Sequence, residues 1–548
     1  MDIYVLSTVL PWIVVFAFIT LCVVPFFWIP KILDVMRRIS PYSLLVLIGI
    51  QALALFIRFA WVPNDHRIYF DEDRYLSYAA SFARYGKAVS LDLATPTDVI
   101  LGVPDEAGRV TVPVLNAIIL KLFGFEEHNL FIAAKILHSF EVVGIFILAY
   151  LLFTNANIGI LSALGMAVLP TTVFYAPSFG LDLYFMDITI LACIATCLYA
   201  NHPDRLSGFW LLSALIILTC VRIEAFVLLP MLFILYFFRR KNRKQNMFIY
   251  AHLYLYISLI VYLIIRSLAS ISVFTKPWCC AEALPLEAFS LSYLTRHTLP
   301  NIRDLFIRPE FPFIISVTAL YAILVSTTWQ TRALGLWIAL CFITYSAYYA
   351  GLFFNPEFSG SYGRYLLILI PPLLLLASST IVDSFTAIHK KYRKKPIVIF
   401  TIIIILIILM YPTMIKYQKL ISYSPWDRLA EGGPRIIHTF LIEDILPKTP
   451  PNAIIIHNLT APIIVSGKTA VFTGSFLEDP TVRLFITRAL ESHQPVFMLP
   501  NYRCLLYPDA CRELNGLYRY ETFLKRDFGD NTILELQQLF LPEAAKTP

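Results

Sequence analysis

The stretch Phe70-Asp71-Glu72-Asp73-Arg74-Tyr75 sets four charged residues between two aromatics, directly after an apolar run from Tyr42 to Trp61. A run of that length crosses a bilayer as a helix. Carboxylates held at a membrane surface carry a desolvation cost, which calls for a functional reason. Adjacent side chains at a helix start point in different directions, so Asp71 and Glu72 suit separate tasks. One takes a proton from a hydroxyl nucleophile, and the other orients a sugar or a divalent cation. Arg74, three residues on, adds a fork of donors that matches phosphate oxygens. A base beside a phosphate anchor at membrane level is what transfer from a lipid phosphate needs. The plainer reading of the same residues is a solvated helix start whose acids complement the helix dipole.

The elements that must position these residues are mostly membrane helices. The 548 residues are 58% hydrophobic and 15% charged, with mean hydropathy +0.69. A soluble domain carries roughly 25% charged residues. The net charge of +7 does not mark a nucleic-acid surface, because the basic residues sit in short loops between apolar runs. Lys31/Arg37/Arg38, Arg239-Arg240-Lys241 with Arg243-Lys244, and Lys390-Lys391 with Arg393-Lys394-Lys395 are cytoplasmic markers. Hydropathy places spans at 4–30, 42–61, 131–153, 157–176, 181–200, 208–221, 223–237, 248–272, 311–329, 335–353, 364–383 and 397–415. The first is read as a retained anchor, too long and too acidic at its front for a cleaved signal peptide. All three basic clusters fall on one face only if 208–237 splits near Arg222 into two short helices. The split also moves Arg222 and Glu224 from mid-bilayer to an outer turn.

This topology puts the loop 62–130, the segment 273–310 and the tail 416–548 outside. Within the loop, Tyr75–Tyr85 has helical spacing and is expected to lie on the membrane, and Val112–Phe123 is a second amphipathic stretch beside Pro113. In the tail, Ala453–Ile456, Pro495–Met498, Glu521–Lys525 and Thr532–Leu536 read as strands and Thr481–Ser492 as a helix. They predict a small α/β domain of roughly 100 residues. Neither a GxGxxG pattern nor a P-loop is present, which argues against nucleotide-sugar use. Cys22, Cys193, Cys197, Cys220 and Cys341 lie in apolar runs as packing residues. Cys504 and Cys511 form either a small disulfide loop or two free thiols. No Cys/His spacing reads as a zinc site. Lys135, His138 and Glu141 share one helix face, either lining a cavity or forming a buried network.

Asp71-Glu72-Asp73-Arg74-Tyr75, followed by Ala83-Arg84 and Gly86, resembles the Asp-Glu-x-Arg-Tyr first-loop motif of C-type (GT-C) glycosyltransferases. The nearest branch is the protein mannosyltransferase and lipid A aminoarabinose transferase group. Pro113 with Leu122-Phe123-Gly124 and Lys135, Thr219 to Arg222, and Arg364-Tyr365-Leu366-Leu367 with Pro371 resemble later motifs of that family, in order. The matches cover about residues 42–415. The resemblance implies a polytopic α-helical membrane protein of GT-C type with about twelve transmembrane helices. Its glycosyltransferase domain would be 1–415, with the catalytic motif in loop 62–130, followed by an extracytoplasmic α/β domain, 416–548.

The same resemblance implies an inverting transfer of a sugar from a polyprenyl-phosphate donor to a lipid, glycan or protein acceptor outside the cytoplasmic membrane. Asp71 would be the general base, with Glu72 supporting it or holding the donor. Arg74, Arg222 and Arg364 would bind the donor phosphate. Asp182 would be a second acid at the outer start of a later span, with Asp187 one turn deeper as runner-up. Some relatives carry Glu-Lys just before the first-loop proline, where this chain has Thr111-Val112. A metal is therefore left unassigned and a divalent cation stays open. Arg222 and Arg364 also read as helix-end residues snorkelling to headgroups. The competing functions are a transporter or flippase of lipid-linked sugars and a non-catalytic scaffold presenting the tail.

Overall fold

The computed structural model describes residues 3–90, 93–94, 103–104, 109–202, 204–222, 224–240, 290–308, 311–348, 363–392, 434–478, 480–499, 517–529 and 533–542. The protein is a mostly helical membrane protein with a small sheet at its C-terminal end. Two long helices lead, α1 (Ile3–Arg37) and α2 (Pro41–Ala60). Ser40 caps α2 through the Ser43 amide, with Pro41 at the first helical position. The loop 62–130 then supplies α3 (Tyr69–Tyr85) and α4 (Thr111–Phe123). α3 starts with Asp71 and Glu72 in its first turn, where the dipole favours acids. It stops at Gly86, whose φ of 70° closes the helix in the left-handed region.

The next span runs through α5 (Glu127–Ser139) and α6 (Glu141–Phe153) with a break at Phe140. α7 (Ala156–Val168) gives way at Pro170 to the short α8 (Pro170–Tyr175), so the expected span 157–176 is interrupted. α9 (Leu181–Asn201) follows. α10 (Arg205–Thr219) opens on a capping box between Asp204 and Ser207. The expected break near Arg222 is present: α10 ends at Thr219 and α11 starts at Ala225. α12 (Leu291–Ile307), α13 (Phe313–Val325) and α14 (Trp329–Ser346) lead to a 3₁₀ turn, Arg364–Leu369, which continues into α15 (Ile370–Tyr392). Among the described residues, five helical stretches are long and apolar enough to cross a membrane: Thr8–Pro25, Pro41–Ala60, Glu127–Phe153, Leu181–Asn201 and Arg364–Ile388. Shorter apolar helices fill in between them. The expected spans 248–272 and 397–415, the Trp278-Cys279-Cys280 segment and the Cys504/Cys511 pair lie outside the described residues.

The tail folds as an α/β unit. Its strands are β4 (Ile454–His457), β5 (Thr469–Phe472), β6 (Val496–Met498), β7 (Arg519–Asp527) and β8 (Ile533–Phe540). A helix, Pro480–Glu491, packs on them as the periodicity predicts. The loop 62–130 contributes β1 (Val89–Ser90), β2 (Leu93–Ala94) and β3 (Val103–Pro104). β2 joins the tail's sheet, whose order is β2-β5-β4-β6-β8-β7. β4 runs parallel to β5 and β6, and the remaining pairings are antiparallel. The tail is thus not separate from the loop that carries the acidic motif. One apolar core joins Leu76, Ala80 and Ala83 of α3 to Ile455, Ile463 and Ile464 of the tail.

Candidate active site

Four elements deliver charged residues singled out in the sequence to one place. α3 presents Asp71 at its first turn, and the N-terminal end of α9 presents Asp182. The break between α10 and α11 and the 3₁₀ turn present Arg222 and Arg364. Arg364 Nη1 donates to Asp71 Oδ2 at 2.7 Å and stands 3.9 Å from Asp182 Oδ2. Arg222 Nη2 pairs with Asp182 Oδ1 at 2.7 Å. Its Nη1 lies 3.5 Å from Glu224 Oε1 and 3.3 Å from the Tyr345 hydroxyl. The four residues form a row, Asp71–Arg364–Asp182–Arg222. The open end of the row is Asp71, whose side chain is 43% exposed, against 15% for Arg364, 4% for Asp182 and 8% for Arg222.

The Tyr365 ring lies against both guanidinium groups, 4.8 Å from Arg364 and 5.2 Å from Arg222. Arg364 Nη2 also donates to the Tyr365 hydroxyl at 2.7 Å, and Tyr345 stacks on the same ring at 5.0 Å. Gly363, at φ 61°, makes the turn that aims Arg364 inward. The Nε groups of Arg222 and Arg364 are buried and meet no acceptor among the described residues. Burial by itself pushes the Asp71 carboxyl up. Arg364, with smaller help from Arg109 and Arg222, outweighs it and holds the group below its ordinary range.

Glu72 turns the other way. It is fully buried and accepts from His66 Nδ1 at 2.7 Å, from the Arg67 amide at 3.1 Å and from the Ser178 hydroxyl. Those bonds tie the start of α3 to the loop before α9. The contact described for Arg74 is with Tyr78 one turn on, at 2.9 Å. Asp187 faces a buried network. Its carboxylate meets His138 Nδ1 at 2.5 Å, while His138 Nε2 donates to the Ser178 carbonyl at 3.1 Å. Glu141 pairs with Arg58, both fully buried. Lys135 donates to the Val62 carbonyl at 2.6 Å. Lys135, His138 and Glu141 are therefore buried on one face, each with a partner of its own, although Glu141 Oε2 and Asp187 Oδ1 meet no donor among the described residues. Where some relatives carry Glu-Lys, Thr111 donates to the Ile217 carbonyl at 2.9 Å and ties α4 to the end of α10.

Two features near the site have no counterpart in the local sequence reading. Asp73 Oδ1 accepts from the Ala461 amide at 3.2 Å, so the motif also docks the tail. His66, Glu127 and His438 come together although they are far apart in the chain. No spacing signal links them.

The architecture is the fold of C-type (GT-C) glycosyltransferases. The chain is similar to the crystal structure of ArnT from Cupriavidus metallidurans bound to undecaprenyl phosphate, with TM-score 0.55 and 15% identity over 89% of this chain and 97% of that one. The apo state of the same protein gives TM-score 0.54 at 15% identity over the same shares, 89% and 97%. The apo oligosaccharyltransferase of Archaeoglobus fulgidus gives TM-score 0.51 at 11% identity over 85% of this chain and 70% of that one. No protein-family profile matches the sequence, and no curated protein sequence is similar to it.

Proposed function

We propose that this protein transfers a sugar from a polyprenyl-phosphate carrier to a hydroxyl or amine acceptor outside the cytoplasmic membrane, with inversion at the anomeric carbon. The observation that carries the reading is the row in which a solvent-reachable carboxylate, Asp71, pairs with Arg364 while Asp182 links Arg364 to Arg222, each arginine keeping an Nε that meets no acceptor among the described residues. The ArnT structure, of the same fold, was solved with undecaprenyl phosphate bound.

The donor's phosphate takes the free donors of Arg364 and Arg222, with Asp182 fixing the spacing of the two guanidinium groups. Drawing Arg364 onto the phosphate loosens its hold on Asp71, which then becomes a stronger base. Asp71 removes the acceptor proton as the acceptor atom bonds to the anomeric carbon. The carbon–oxygen bond to the phosphate breaks on the opposite face, and the lipid phosphate leaves with the electron pair. The charge growing on that phosphate falls on fixed arginines, the arrangement that most lowers such barriers. Glu72 positions α3, and Arg74 supports its first turns through Tyr78. Asp187 lies in the adjoining buried network and holds no donor contact in this scheme.

The test is transfer from a synthetic polyprenyl-phosphate sugar by purified protein in proteoliposomes. The wild type forms glycosylated acceptor, and Asp71→Asn inserts and folds but forms none. Full transfer by Asp71→Asn removes that residue from the mechanism. Translocation of the donor without transfer by the wild type gives the flippase reading instead.

A further inference from the structure

His66, Glu127 and His438 meet at the junction of the first loop, the start of α5 and the start of the tail. His66 Nε2 lies 2.8 Å from Glu127 Oε1, and His438 Nε2 lies 2.6 Å from Glu127 Oε2. One ligand atom from each residue falls within 4.8 Å of the others. The three are 61 and 311 positions apart in the chain, so only the fold assembles them. We propose that these residues form a divalent-metal site, of zinc type, that staples the tail to the membrane domain.

Four observations carry the assignment. Two imidazole nitrogens and one carboxylate oxygen are the donor set that zinc takes with a fourth position left for water. Both imidazoles aim the same nitrogen, Nε2, at one carboxylate. The outer nitrogen of His66, Nδ1, donates to the Glu72 carboxylate at 2.7 Å, the support that fixes the tautomer and orientation of a metal-bound histidine. Phe131 and Phe179 pack edge-on against the His66 ring at 5.2 and 5.3 Å, which keeps that side rigid and dry.

Charge balance agrees. Glu72 and Glu127 together carry two negative charges, which one divalent ion balances while both imidazoles stay neutral. Binding releases whatever protons lie between Glu127 and the two Nε2 atoms, with no redox change. Tetrahedral zinc ligands at about 2.1 Å sit roughly 3.4 Å from one another. The present separations of 2.8 and 2.6 Å would have to open toward that distance as a metal enters. His438 is the most exposed of the three at 19% and marks the way in.

The inference stands apart from the sugar-transfer reading, and its test does not use activity. Full-length protein in detergent is stripped with chelator, reloaded with Zn²⁺, desalted and assayed for metal by mass spectrometry. The wild type is expected to retain one equivalent and to gain several degrees in Tm on reloading. His438→Gln, at the least buried position, is expected to lose the retained ion and the Tm gain while still folding. Co²⁺ in place of Zn²⁺ should give the visible absorption of a tetrahedral nitrogen–oxygen site in the wild type and not in the variant. A wild type that retains no metal, or a His438→Gln that retains as much with the same Co²⁺ spectrum, overturns the proposal. The first result leaves a cluster held by protons alone, and the second puts the ion elsewhere.

Discussion

At the scale of single residues, the partner of each charge decides its part. Asp71 and Glu72 are neighbours in the chain, yet one lies in a partly open row with two arginines and the other is sealed between His66 and Ser178. Glu72 therefore cannot exchange with its neighbour in the proposed chemistry. Arg364 depresses the Asp71 carboxyl, so the acid limb of kcat/KM is expected below the range of a free aspartate. The sign follows from the base acting unprotonated: a lowered pKa carries loss of activity to lower pH. Any stability drawn from the pair is likewise present above the unfolded pKa and lost as pH falls through the folded one. Arg364→Gln removes the counter-charge but leaves the burial. It should move the acid limb to higher pH and slow transfer about 10²–10³-fold, the loss of one preorganised donor. A pH profile unchanged in Arg364→Gln would show that the ion pair does not tune Asp71. Arg222→Ala leaves Glu224 buried without its cation and Asp182 with only Arg364, at 3.9 Å. A destabilisation of about 3–5 kcal/mol by thermal or denaturant unfolding is expected beside weaker donor binding.

At the scale of elements, short irregular pieces do the positioning. The turn at Gly363 sits in the left-handed region, where a Cβ costs about 1–2 kcal/mol. Gly363→Ala is expected to lower Tm modestly and to slow transfer disproportionately, because the strain falls on the residue that aims Arg364. Kinetics and calorimetry on one preparation separate the two effects. α3 works from both ends. Its first turn holds Asp71 in the site, and its last turn sends Arg84 Nη1 and Nη2 to the Ile464 and Val465 carbonyls at 2.7 and 3.1 Å. Asp73 takes the Ala461 amide between them. Arg84→Ala should cost about 1 kcal/mol, since the side chain is partly solvated. It should speed amide hydrogen exchange in Ala461–Val465 while leaving exchange in α9 unchanged.

At the scale of the whole molecule, the tail is built into the same end of the protein as the Asp71–Arg364–Asp182–Arg222 row. Its sheet takes an edge strand from the first loop, and its core is continuous with α3. Residues 434–542 expressed alone would expose that face and lack β2. They are expected to show no cooperative unfolding transition in near-UV circular dichroism, whereas the full chain in detergent does. A sharp transition in the isolated tail would mean that the contacts with α3 are incidental. The same continuity couples the tail to the proposed site, since α3 carries both Asp71 and the tail's anchors.

The helices were legible in the sequence because apolar length is a local property, and ten of the expected spans contain helix among the described residues. The break at Arg222 was legible too, since a buried cation in mid-bilayer is too costly and a broken helix avoids it. The tail strands β4, β6, β7 and β8 and the helix Pro480–Glu491 followed from short apolar runs between turn residues, whereas β5, Thr469–Phe472, was not read from the sequence. Side-chain partnership was not legible. Asp182 and Asp187 differ by little more than one helical turn, and their surroundings alone make one a partner of Arg222 and the other of His138. β2 is two residues long and carries no strand signal without β5 beside it. The meeting of His66, Glu127 and His438 depends on the tail folding back onto the first loop. Sequence spacing encodes periodicity within an element, whereas ion pairs and ligand sets depend on which elements close in space, and only the packed chain settles that.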